Sequence, residues 1–148
     1  MEFYLSKVKC EEKEILYRLL QYSLFEESEN DLNEMNQEAI YEYKHFDSYF
    51  IDNDRYAFFI REKETDKLLG FAMINKYMQK FEDGHSIAEY LVIPKYRRKH
   101  IASELINIAF DRLQKDGKKI ATLTVIGDNK SAIKLYQKIG YELMGYII

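Results

Sequence analysis

The stretch Val92–Leu105, VIPKYRRKHIASEL, decides how the chain is read. An apolar, β-branched run ends at Pro94, the only proline. Lys95, Arg97, Arg98 and Lys99 follow within five positions, and small and apolar residues then open a helical pattern. Ile101, Leu105, Ile108, Ala109 and Leu113 share one face of a 3.6-residue period. A helix N-terminus leaves backbone N–H groups without intrahelical partners and carries the positive end of the macrodipole. Both suit phosphate oxygens, and the cationic side chains of the turn add to them. Read alone, the same cluster is a solvated cationic turn, as most basic runs are.

The pattern extends in both directions. Upstream, 86–93 is a nearly continuous apolar strand of the kind found inside a sheet. Residues 56–60 and 68–77 are aromatic and β-branched runs separated by a charged turn, which predicts an antiparallel hairpin. Residues 3–8 alternate and predict a first strand. Ile15, Leu16, Leu19, Leu20 and Tyr22 give a helical stripe over 11–25. Acidic residues of 26–36 read as a loop, and Ile40, Tyr43 and Phe46 predict a second helix over 38–49. Downstream, Gly117 is placed to end the basic-turn helix, and 120–125 is a strand. Ala132, Leu135, Tyr136 and Ile139 predict a further helix ended by Gly140, and 141–148 a last strand. The order is β-α-α-β-β-β-α-β-α-β, an α/β (α+β) arrangement in one domain, 1–148. The segment 86–125 predicts a parallel strand pair joined by a right-handed crossover within a mixed sheet.

Composition narrows the function. Apolar residues make up 47% of the 148, with thirteen Tyr and nine Phe, so a packed core is within reach. The net charge of −3 and pI near 5.7 argue against a general nucleic-acid role. Cys10 is the only cysteine, which excludes an intrachain disulfide and points to a reducing compartment. The N-terminus lacks a signal-peptide pattern, and no apolar run approaches the ~20 residues of a bilayer span. The expectation is a cytoplasmic protein with no membrane or nucleic-acid partner. His45, His85 and His100 show no ligand spacing, so no metal is expected. Cys10 has no legible His/Asp partner and reads as a bystander thiol.

Two motifs carry a resemblance. YRRKHIA, residues 96–102, follows an apolar strand and a proline. It resembles the acyl-CoA signature of the GNAT superfamily of N-acetyltransferases, Gln/Arg-x-x-Gly-x-Gly/Ala. Arg97 matches its first position and Ala102 its last, while His100 stands at the usual first glycine. Glycine reaches positive φ cheaply, and His is among the residues enriched there. GDNKSAIKLYQKIGYE, residues 127–142, resembles the family's Asn-x-x-Ala-x-x-x-Tyr-x-Lys-x-Gly-Phe segment. Asn129, Ala132, Tyr136, Lys138, Gly140 and Tyr141 stand at the matching positions, with Tyr for Phe at the end. Both motifs occur in the family's order, and together they cover about 86–145.

The resemblance implies a GNAT-type mixed, mostly antiparallel central sheet with helices on both faces. It implies acetyl-CoA as co-substrate and an amine as acceptor. Tyr90, Leu91 and Val92 would bind the pantetheine arm by backbone, and Arg97, Arg98, Lys99, His100, Ile101, Ala102 and Ser103 the diphosphate. Asn129 would hydrogen-bond an amide of the arm, and Tyr136, two helical turns on, would sit near the sulfur. Taken alone, Tyr136 is an ordinary core aromatic. A free thiol ionises near ~8.5 and tyrosine near ~10, so Tyr136 can protonate a departing thiolate. Glu89 is a carboxylate in an apolar strand, expensive unless paired or raised in pKa. It reads either as the general base or as half of a structural ion pair with Lys or Arg. Thr124 stands where some members place a catalytic Glu, and it is no strong base. The acidic run Glu26, Glu27, Glu29, Asp31 and Glu34 reads as a solvated loop or as an attractor of a cationic acceptor. The leading function is acetyl transfer from acetyl-CoA to a primary amine by direct attack in a ternary complex. The alternative is a non-catalytic acyl-CoA sensor on the same fold. The chain stops at Ile148, where members often add another strand; a strand lent by a second copy would make a homodimer.

Overall fold

Phe3–Lys7 (β1), Arg55–Glu62 (β2), Leu68–Asn75 (β3), Gly84–Val92 (β4) and Ile120–Leu123 (β5) form one sheet in that spatial order. The computed structural model describes residues 2–29, 31–75, 84–101, 104, 107, 120–123, 134, 137 and 138. Strands β1 to β4 pair antiparallel, with Leu5 opposite Ile60, Phe59 opposite Phe71, and Phe71 opposite Leu91. Strand β5 runs parallel to β4 from Gly84–Ile120 to Ile87–Leu123. The hairpin and the parallel pair expected from the sequence are both present. A parallel neighbour cannot be reached by a tight turn, which is why some thirty residues separate these two strands.

Side chains alternate across the sheet and divide the core in two. One face carries Ala57, Phe59, Phe71, Met73 and Leu91, packed against Leu16, Leu20 and Leu24 of α1 (Lys13–Glu27). The spacing of these leucines gives α1 its buried stripe. The other face carries Ile60, Ala72 and Val92 with Phe3, and packs against Ile101, where the chain turns helical after the basic turn. Phe59, Phe71, Leu16 and Leu20 are fully buried, and burying such a side chain contributes about 1.5–3 kcal/mol. Gly70 lets β3 and β4 approach: a Cβ there would lie 1.9 Å from the Leu91 carbonyl oxygen.

The predicted second helix over 38–49 does not form. Ala39 and His45 take left-handed backbone (φ 61 and 68), which a right-handed helix cannot contain. Side chains supply the hydrogen bonds instead. Asn36 Oδ1 accepts from the backbone N–H groups of Glu38 (2.9 Å) and Ile40 (3.2 Å). Gln21 of α1 clamps Tyr41, donating to its carbonyl at 2.9 Å and accepting from its N–H at 2.7 Å. Only a short 3-10 turn, Asp47–Phe50, comes next. The apolar residues still face the core, with Tyr41, Phe46 and Tyr49 buried under α1. The predicted α-α run is therefore one helix and an irregular strap. The helix α1 also continues through Glu26 and Glu27, which the sequence assigned to the loop.

Ile101, Glu104 and Asn107 are helical, as are Lys134, Gln137 and Lys138, in the two segments expected to be helices. The glycine stops and the predicted last strand, 141–148, lie outside the described residues.

Candidate active site

The site is built around the C-terminal half of β4. Its pairing with β3 shifts register: Met73 faces Glu89, but Ile74 faces Ile87, so Ala88 is an extra residue. Such a bulge bends the strand and re-aims the residues beyond it. Pairing with β5 among the described residues lies wholly before it, ending at Ile87. Beyond the bulge, the Ile93 N–H donates to the Leu69 carbonyl at 2.8 Å, and the Leu91 carbonyl lies against Gly70. Peptide groups alternate in direction along an antiparallel strand. Those of Tyr90 and Val92 therefore turn away from β3, toward the β5 side. These are the residues predicted to hold the pantetheine arm. Leu91, named with them, has its peptide turned to β3 and its side chain in the core under α1.

The strand runs directly into the basic turn. Pro94–Tyr96 makes one 3-10 turn, and Arg97 is extended. Arg98 and His100 both take left-handed backbone, φ 64 and 62. His100 thus adopts the conformation of the glycine it replaces, at a cost of roughly 1–2 kcal/mol for a residue with a Cβ. The Glu104 N–H donates to the His100 carbonyl at 3.1 Å, so the helix begins here. Arg98, Lys99 and His100 are exposed. Arg97 is tied down: its Nε donates to the Val92 carbonyl at 2.8 Å, and its Nη2 meets Glu26 at 3.2 Å. It locks the turn to β4 and to the end of α1, while Lys95, Arg98 and Lys99 stand as exposed cations of the turn. Ala102 and Ser103 of the same turn, and Asn129, Tyr136 and Thr124, lie outside the described residues.

Glu89 is partly buried on the α1 face of β4. Its partner is a second carboxyl, Glu27, rather than the lysine or arginine of the ion-pair alternative. Burial pushes the Glu89 carboxyl up to about 9, helped by the charge and hydrogen bond of Glu27 and by Asp31. Burial also raises Glu27, and its hydrogen bonds to Glu89 and Ser23 oppose the rise. The end of α1 fixes Glu27 in place. The Ser28 N–H donates to Leu24, its hydroxyl donates to Phe25 at 2.7 Å, and the Tyr41 hydroxyl donates to Ser28 at 2.9 Å. Tyr43 and Tyr49 share a hydrogen bond nearby, and burial holds both hydroxyls above the ordinary phenol range. Asn75 donates to the Tyr49 oxygen at 3.2 Å. Burial likewise raises Tyr90, with Arg97 acting against it. The arrangement joins peptide groups of β4 turned away from β3, a basic turn with left-handed backbone, and a proton-holding carboxyl pair.

Residues 18–141 match the Acetyltransferase (GNAT) family. The chain belongs to that family. An uncharacterized N-acetyltransferase of Methanocaldococcus jannaschii is 27% identical over 145 residues, covering 86% of this chain and 64% of that protein. The catalytic subunit of the N-terminal acetyltransferase B complex of Arabidopsis thaliana is 33% identical over 86 residues, covering 57% and 49%. The chain thus spans about half to two thirds of the length of these curated relatives. Among solved structures, AAC(6')-Iy in complex with the bisubstrate analog CoA-S-monomethyl-acetylneamine superposes with a TM-score of 0.74. It shares 14% identity, with 100% of this chain and 96% of that one covered, which establishes a common GNAT fold.

Glu27 is the residue that sequence reading missed as part of the site. It was visible only as one of five acids in a run, and 62 positions separate it from Glu89. Cys10 is exposed. No cluster of metal-ligating side chains occurs among the described residues, and no helix among them is long and apolar enough to cross a membrane.

Proposed function

We propose that the chain transfers an acetyl group from acetyl-CoA to a primary amine by direct attack in a ternary complex. The observation that carries this reading is the continuity of β4 with the basic turn. Peptide groups of Tyr90 and Val92 face away from β3, and the same strand leads into left-handed backbone at Arg98 and His100. Exposed Arg98, Lys99 and His100 at a helix start fit a diphosphate, and the outward peptide groups fit the amides of a pantetheine arm. Bound acetyl-CoA supplies the thioester that the amine attacks.

The remaining work falls to the protein. The Val92 N–H donates to the carbonyl oxygen of the thioester as negative charge develops there; one such donor is typically worth ~3 kcal/mol. Glu89 takes a proton from the acceptor ammonium, directly or through a water. Tyr136 returns a proton to the leaving thiolate, and Asn129 holds an amide of the arm. The acidic surroundings of Glu89, namely Glu27 and Asp31, suit an acceptor that arrives as a cation. The N-terminal acetyltransferase relative supports an amine at the start of a polypeptide as one such acceptor. The non-catalytic acyl-CoA sensor drew on the missing glycine and on the uncertain base; His100 at φ 62 weighs against the first of these.

Thiol release from acetyl-CoA with a panel of amines and N-terminal peptides, with mass spectrometry of the products, tests the proposal. One thiol per acetylated amine is expected. Coenzyme binding without thiol release across the panel overturns catalysis in favour of the sensor.

A further inference from the structure

Acetyl transfer through Glu89 leaves the neighbouring carboxyl idle. Glu27 closes α1, at the end where the macrodipole opposes a negative charge. Its carboxyl is hydrogen-bonded to Glu89 across the gap between helix and strand, and to Ser23 one turn back. Two carboxyls in hydrogen-bond contact cannot both ionise cheaply, so they titrate as one unit. We propose that Glu27 is a positioning residue for Glu89: the two share one proton and act as a single base toward the acceptor ammonium. This rests on the reading of Glu89 as the base.

The groups facing the pair favour retention of that proton. From α1 come Ser23 and Glu26; from the segment after it, Asp31 and Tyr43; from the 3-10 turn, Tyr49; from β4, Tyr90. Among the described residues the cation on this side is Arg97, and it is engaged by Glu26 and the Val92 carbonyl. Arg55, farther out, lies over the Tyr49 ring and pairs with Asp52. The Glu89 carboxyl is accordingly pushed up to about 9 by burial first and Glu27 second. An alkyl ammonium ionises near ~10.4, so the pair is matched to it far better than an ordinary glutamate near ~4.3.

Protons balance over the full cycle. An acceptor R–NH3+ and an acetyl thioester become an amide, a free thiol and one proton. Below about pH 9 the free pair holds one shared proton. Binding of the cation favours the dianion, and that proton leaves to solvent. Glu89 then takes a proton from nitrogen: an N–H bond breaks, an O–H bond forms, and the nitrogen lone pair is freed to attack. The pair ends with one shared proton, as it began. The second nitrogen proton replaces the one Tyr136 gives to sulfur.

The test is the pH profile of kcat/KM for the wild type, Glu27→Gln and Glu89→Gln, together with carbon NMR titration of glutamate side chains in the acceptor-free protein. The Glu89 signal is assigned by its loss in Glu89→Gln. In the wild type it should titrate near the value of about 9 that its surroundings impose. Glu27→Gln removes a like charge and offers an amide donor, both of which favour ionised Glu89. The NMR titration and the acidic limb of kcat/KM should both move down by about one pH unit or more. Glu27→Asp should recover much of the wild-type profile. Asp31→Asn, which acts on the pair through its charge, should give a smaller shift in the same direction and serves if Glu27→Gln fails to fold. A limb lost in Glu89→Gln but unmoved in Glu27→Gln overturns the shared base and leaves Glu89 standing. A limb unchanged in Glu89→Gln overturns Glu89 as the base, and the pair with it. Titration of Glu89 near ~4.3 in the wild type overturns the pair whatever the activity shows.

Discussion

Glu89→Gln exchanges a carboxyl for an amide of nearly the same shape, so it changes charge far more than packing. In the folded protein Glu89 keeps its proton up to about 9, because burial and the neighbouring Glu27 and Asp31 oppose the charge. In an unfolded chain a glutamate loses its proton near ~4.3. Between these limits the folded state binds more protons than the unfolded state, so stability falls as pH rises. Below both values the carboxyl is neutral in either state and the penalty vanishes; above about 9 it is complete. Each pH unit in the window corresponds to about 1.4 kcal/mol for an isolated group. Partial exposure and sharing with Glu27 reduce this, and the equivalent of one to two units, about 1.4–2.7 kcal/mol, is the expected penalty at the alkaline end. Glutamine does not titrate and escapes it. For a domain of this size about 1 kcal/mol moves Tm by ~2–4 °C. Scanning calorimetry should find Glu89→Gln more stable than the wild type by roughly 3–10 °C near ~pH 9, and nearly equal to it near ~pH 4.5. Acetyl transfer should be lost in the same variant. Parallel Tm curves for the two proteins across this range would refute the account of a buried, proton-retaining carboxyl.

Substitutions at three other positions probe the rest of the site. Gly70→Ala places a methyl 1.9 Å from the Leu91 oxygen and 3.1 Å from the Val92 Cα. It forces β4 away from β3, with an expected loss of about 1–3 kcal/mol in denaturant unfolding and weaker coenzyme binding. At His100, φ 62, Gly should leave stability within about 1 kcal/mol, whereas Val should cost about 1–2 kcal/mol more and weaken CoA binding in calorimetry. Tyr136→Phe should lower kcat by about a hundredfold with little change in acetyl-CoA affinity; a normal kcat in steady-state assays would make it a core aromatic.

The strand–turn–helix at 92–105 was legible because each local signal agreed: an apolar run, a proline, a cationic turn and a helical period. The left-handed backbone at His100 was not fixed by the sequence, since a histidine at the glycine position permits that conformation without requiring it. The strap over 38–50 was not legible either. Ile40, Tyr43 and Phe46 have helical spacing, but Gln21 and Asn36 satisfy the backbone from outside, and no local pattern announces a side-chain clamp 20 residues away. The bulge at Ala88 was equally hidden, because register is a property of two strands and the run 86–93 reads the same with or without it. Glu89 stood out as a charge in an apolar strand. Its partner did not, because Glu27 resembles its acidic neighbours until α1 carries it onto β4.

Whether the basic turn after β4 holds the coenzyme is decided by calorimetric titration of CoA into the wild type and into Arg98→Ala/Lys99→Ala at low salt. Wild-type binding should weaken with added salt, and affinity should fall at least about tenfold once Arg98 and Lys99 lose their charge. Absence of binding by the wild type, or equal affinity in the two proteins, would contradict that role for the turn.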